Sequence, residues 1–118
     1  MNKLSIACLL ITGVASAQAN AAYVCTGNVK GVSINPKNGD LLAESIGPLV
    51  WPKLCNLETE ISSVSPETCK IIYSTLLTAQ TANKKVTLWF NDGKDCTAAS
   101  HPAWHDLTGW YFGPKISD

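Results

Sequence analysis

The chain has 118 residues, sets nine basic against nine acidic side chains, and is 46% hydrophobic. Every basic residue is a lysine and no basic cluster exceeds Lys84-Lys85. Without the planar guanidinium that reads phosphate and base edges bidentately, nucleic acid is not the expected partner.

The first segment reads as a leader rather than as fold. Met1-Asn2-Lys3 is a short positive start, Leu4 to Val14 is apolar, and "ASAQANAA" offers several small-x-small sites. This predicts a secretory signal peptide over residues 1–21, cleaved after Ala21 with Ala17 and Ala19 as alternatives, and too short to span a membrane. A lipoprotein reading at Cys8 fails because too few residues precede it to form an apolar segment. No second apolar run approaches spanning length. Residues 22–118 are therefore expected as one exported domain, periplasmic or extracellular, without membrane insertion. A chain that short buries little more than ~60% of its unfolded surface, so its core alone gives modest stability. Cys25, Cys55, Cys69 and Cys96 survive cleavage. An even number of cysteines in an exported chain predicts disulfides, and no pair has the C-x-x-C spacing of a zinc site.

In chain order, "YVCTGNVKGVSI" (Tyr23 to Ile34) is a β-prone stretch interrupted by Gly27 and Gly31, which suggests a bulge or sharp bend. Pro36 and Asn38-Gly39 mark a hairpin turn into a second strand, Leu41 to Ile46. Gly47-Pro48 ends that strand, and "LVW" begins a third, short one that ends near Cys55. Asn56 to Val64 is a polar connection. Ser65-Pro66-Glu67 then supplies a hydroxyl cap, a proline for the first helical position and an acid for the first turn. Cys69, Ile72, Leu76 and Ala79 recur at helical spacing, widened by Tyr73 and Leu77. After only Asn83-Lys84-Lys85 the period changes. Val86, Leu88 and Phe90 alternate with Thr87 and Trp89, as on a half-buried strand. "NDGKDC" is a turn, "TAASHPAWHDL" is irregular, and "TGWYFG" (Thr108 to Gly113) is a last strand closed by Pro114.

The expected fold is mainly β: a small five-stranded OB-like barrel with one central helix, in the order β-β-β-α-β-β, and two disulfides. In that topology the helix plugs one end of the barrel. The first and fourth strands run antiparallel, which brings Cys25 near Cys96 and leaves Cys55 to tether Cys69. Cys55–Cys96 with Cys25–Cys69 is the second choice.

"WPKLC", "SPETCKIIYSTLLTAQTANKKVTLWF" and "C…HPAWHDLTGWYFG" together resemble a group of small, uncharacterised exported proteins of Gram-negative bacteria. More distantly, the order of strands, the central helix and the paired cysteines resemble the OB-fold B subunits of AB5 toxins. That resemblance implies rings of subunits that bind cell-surface glycans. It is one of architecture, and no sugar-binding motif of that family is matched here residue by residue.

The residues that could carry chemistry are few. His101 and His105 stand four apart, so a helix there would put both on one face, with Asp106 adjacent. Two imidazoles without a third ligand make only weak metal candidates, and surface or capping roles are the simpler reading. Glu58 with Glu60, and Asp92 with Asp95, are read as solvated charges. No G-x-S-x-G, H-E-x-x-H or phosphate-binding loop occurs, so neither a catalytic residue nor a cofactor is expected. The aromatics are the remaining signal. Trp89, off the core face of its strand, leads, with Trp104, Trp110 and Tyr111 as further ligand or interface candidates and Trp51 also present. The expectation is a non-catalytic binding module, a homo-oligomer, whose partner is a cell-surface glycan. The alternatives are a periplasmic accessory or inhibitor protein that docks an envelope protein and, as a minor reading, a metal-dependent enzyme built on His101, His105 and Asp106.

Overall fold

The computed structural model describes residues 22–117. The leader expected over residues 1–21 and its cleavage site lie outside the described residues. The chain is mainly β with one helix, and the first three predicted strands each appear as two segments. β1 (Tyr23–Lys30) continues into β2 (Ser33–Ile34) through a bend at Gly31, whose φ is +64°. β3 (Asp40–Leu42) continues into β4 (Ser45–Ile46), and β5 (Leu49–Val50) into β6 (Lys53–Asn56). Then come α1 (Pro66–Thr81), β7 (Lys85–Phe90) and β8 (Trp110–Ile116).

The bends distribute one strand over two sheets. Val29 pairs with Ile46, Ser33 with Leu42 and Ile34 with Leu41, a single unbroken register. The Glu44 N–H donates to the Gly31 carbonyl at 3.0 Å across the bend itself. One hairpin thus serves both the sheet β5-β4-β1-β7-β8 and the sheet β2-β3-β6. Gly27 is a different case from Gly31: a Cβ there would overlap the Cα and N of Gly47, where the β4–β5 turn crosses β1.

Local chemistry explains the abrupt change from helix to strand. The Ser65 hydroxyl caps α1 by accepting from the Thr68 N–H at 3.2 Å, with Pro66 at the first helical position. At the other end Asn83 takes a left-handed φ of +56°. The Lys84 N–H then reaches the Ala79 carbonyl at 2.8 Å, and the Asn83 N–H reaches that of Gln80 at 3.2 Å. This is a Schellman stop with asparagine in glycine's usual place, and it reverses the chain within three residues. Cys69, Ile72, Leu76 and Ala79 are the buried stripe of the helix, and they pack on a core that includes Val86, Leu88 and Phe90 from β7.

Two disulfides close the fold. Cys25–Cys96 spans 5.5 Å between Cα atoms and fastens the loop of residues 91–109 to β1, while Cys55–Cys69 spans 5.8 Å and ties β6 to the first turn of α1. In the chain-entropy account the shorter loop is worth ~3 kcal/mol and the longer ~4.

The structure departs from the expected barrel at one seam. β8 pairs with β7, and among the described residues no strand ladder joins it to β6. The edge of β6 is met instead by residues 105–107. Lys53 donates to the His105 carbonyl at 3.4 Å and accepts from the Leu107 N–H at 2.9 Å, a single parallel bridge. A longer ladder is interrupted because the backbone leaves the extended state at Trp104 (φ +70°) and at Gly109 (φ +84°). The last strand also runs past Pro114 to Ile116. An edge strand tolerates proline because the missing N–H can face away from the ladder. No helix among the described residues is long and apolar enough to cross a membrane.

Candidate ligand-binding site at the paired tryptophans

Trp51 and Trp104 come from distant parts of the chain and meet at the incomplete seam. Trp51 follows β5 with φ +48°, and Trp104 sits in the loop before β8 with φ +70°. Bulky side chains rarely occupy the left-handed region, because Cβ crowds the following carbonyl there. Both backbones are fixed by partners. The Trp51 N–H donates to the Glu44 carbonyl at 3.0 Å, and the Trp104 N–H donates to the Trp51 carbonyl at 2.9 Å. The rings stack, with centroids 4.5 Å apart and planes 15° from parallel. Trp104 remains 59% exposed.

Beside the rings lies a cleft of about 470 Å³, walled by Ile34, Leu42, Asp40 and Lys53 as well as by the two indoles. Its polar end is formed by Lys53 and Asp40, and Asp106, just beyond the lining, joins them in an ion cluster. The Lys53 ammonium lies 3.4 Å from Asp40 Oδ2 and 3.3 Å from Asp106 Oδ1. Burial by itself pulls that ammonium's pKa down, but the hydrogen bond to Asp106 and the charge of Asp40 more than offset it and hold it above the usual lysine value. Asp40 is held from behind. Its Oδ1 accepts from Asn56 Nδ2 at 2.8 Å, and Asn56 is itself buried and donates to the Asn38 carbonyl. The charged end of the cleft therefore rests on a buried, hydrogen-bonded base, and the aromatic end on two constrained backbones.

The other residues singled out from sequence lie elsewhere. Trp89 is half-buried on the outer face of β7, its ring 5.3 Å from Phe112 and edge-on to it. Val24 and Phe112 are its cross-strand neighbours, and both are exposed. Trp110 packs against the core from β8. Tyr111 is exposed beside the Ser62-Ser63 turn, where a second cleft of about 450 Å³ opens. Of the tryptophans favoured from sequence, only Trp104 reaches the cleft beside Lys53.

The histidines separate. The segment between them forms turns rather than a helix. His101 is buried against Tyr23 and Phe90, with its Nε2 3.0 Å from the Asp95 carbonyl and 3.1 Å from the Tyr23 hydroxyl. The Tyr23 O–H donates to Asp92 Oδ1 at 2.7 Å, so the His101 proton must sit on Nε2, facing two acceptors. Burial, and then the hydrogen bond to Asp92, push the Tyr23 phenol above the usual tyrosine range. Burial of Asp92 works against its charge, but the Tyr23 hydroxyl and the Lys94 N–H outweigh it and hold the carboxyl below its ordinary value. His105 is exposed, with its Nδ1 donating to the Ala103 carbonyl at 3.0 Å. Asp106 faces Lys53 rather than an imidazole. Among the described residues no three His, Cys, Asp or Glu side chains converge as a metal would require.

Sequence reasoning passed over Asp40 and Lys53 and did not single out Trp51. One signal was available: Trp51 directly precedes Pro52 and Trp104 follows Pro102 by two residues, and prolines so placed mark breaks in regular structure. The chain matches no protein-family model, no curated protein and no solved structure.

Proposed function

We propose that this chain is an exported, non-catalytic binding module of OB type whose ligand is a saccharide, taken at the Trp51–Trp104 cleft. The observation that carries the reading is the stacked indole pair, held in a costly backbone conformation and left open beside a fixed ion cluster. Strain of this kind collects at sites that bind or react. An exposed indole face suits the C–H face of a sugar ring, and a few convergent polar groups suit its hydroxyls. The two disulfides support an oxidising compartment. The pairing of β1 with β7 and β7 with β8, with one parallel bridge at the last seam, supports a partly open five-stranded barrel. A binding role is favoured over an enzymatic one because the ionisable groups at the cleft are committed to one another.

A glycan array probed with the wild-type chain and with Trp104→Ala tests the reading. Binding by the first that is lost in the second is the expected result; folded wild-type protein that binds nothing would sink it.

A second reading has its own observation. Val24, Trp89 and Phe112 form an apolar row across three strands on the outer sheet face. This row favours self-association, or docking to an envelope protein, and the native mass in solution distinguishes a monomer from a ring.

A further inference from the structure

We infer that the saccharide held at the Trp51–Trp104 cleft is a neutral one, bound through a pair of adjacent hydroxyls at Lys53 and Asp106, and that glycans ending in an acidic sugar are rejected. This rests on the saccharide reading above and concerns the chemical class that the site selects.

Charge makes the first part of the case. Lys53 is the one cation among the described residues that line the cleft. It is already committed to Asp40 at 3.4 Å and Asp106 at 3.3 Å. Two carboxylates against one ammonium leave one negative charge uncompensated. The Lys53 and Asp40 side chains are only 22% and 11% exposed while Asp106 is 42% exposed, so water screens that charge only in part. An entering carboxylate or sulfate would meet it at close range and would find no arginine to receive it. Acidic-sugar recognition needs the opposite balance.

Hydrogen-bonding capacity makes the second part. Asp40 is nearly saturated, with one oxygen accepting from Asn56 and the other facing Lys53. The Asp106 side chain is 42% exposed and meets Lys53 through Oδ1, which leaves acceptor sites on Oδ2. Lys53 points two N–H groups at carboxylates and keeps a third. An ammonium donor beside a carboxylate acceptor matches two neighbouring hydroxyls, one accepting and one donating. The Trp104 face would cover the apolar side of the same ring.

The test uses residues 22–118 of the full chain on immobilised glycan pairs, each a neutral oligosaccharide with and without one terminal sialic acid or sulfate. Neutral members should bind, and their acidic counterparts about ten-fold more weakly or worse, since like charges brought together at an interface repel strongly. Asp106→Asn should weaken neutral binding and narrow the gap, because it removes one of the two carboxylates. Acidic members bound as tightly as neutral ones, with binding still lost in Trp104→Ala, would overturn this inference and leave the saccharide site standing. No binding by any pair, or binding that Trp104→Ala leaves intact, would overturn the site itself and the inference with it.

Discussion

Trp104 is more than half exposed and yet has a fixed backbone, which separates its contribution to binding from its contribution to stability. Trp104→Ala should cost less than about 1 kcal/mol in denaturant unfolding, as surface substitutions do, while saccharide affinity falls ten-fold or more. Asp40 is the reverse case. It is 8% exposed and satisfies both Lys53 and Asn56. Asp40→Ala should destabilise the fold by roughly 2–4 kcal/mol, because it strands a buried amide donor and removes a partner of a mostly buried ammonium. The Tyr23–Asp92 pair adds a pH signature. Asp92 titrates below its ordinary value in the folded chain, so its contribution is present above about pH 4 and is lost as pH falls through the folded pKa. Tyr23 titrates above its ordinary value, so its contribution is present below about pH 10 and is lost as pH rises beyond that. Unfolding midpoints measured across pH should fall at both ends, and Tyr23→Phe should flatten the alkaline limb.

The helix, its N-terminal cap and the alternating strand after it were legible because each rests on local chemistry. Ser65-Pro66 starts α1, Asn83 ends it, and period-two alternation buries Val86, Leu88 and Phe90. Asn83→Val should therefore cost about 1–2 kcal/mol by thermal or denaturant unfolding, and Asn83→Gly almost nothing, since only the β-branched side chain resists a left-handed φ. The bends at the glycines were legible as interruptions, but the reason for Gly27 was not. Its close approach to Gly47 joins segments twenty residues apart and leaves no local mark. Gly27→Ala should be among the most damaging single-methyl additions in the chain, at or above the ~1–3 kcal/mol of an ordinary overpacked core, because backbone and not a flexible side chain stands in the way.

For the whole molecule, two cross-links fasten two small sheets and a helix around one core. The longer one holds down the loop that carries Trp104. Breaking Cys25–Cys96 should cost about 2–5 kcal/mol and should weaken binding as well, since it frees the loop that sets the tryptophan pair. The order of strands around one helix could be read from the sequence, whereas the loop that meets the edge of β6 could not. Whether β6 meets a strand or a loop is decided by left-handed residues at Trp104 and Gly109, and no periodic pattern signals a tryptophan in that conformation. For the same reason the sequence points first to Trp89. Alternation identifies a residue that leaves a core face, but not two loop residues that meet each other.

Four tryptophans give four indole N–H resonances, and these report on the location of binding directly. Titration of a neutral oligosaccharide into isotope-labelled protein should move the signals of Trp51 and Trp104 and leave those of Trp89 and Trp110 in place. Shifts at Trp89 alone, or at none of the four while the protein remains folded, would contradict the assignment of the cleft.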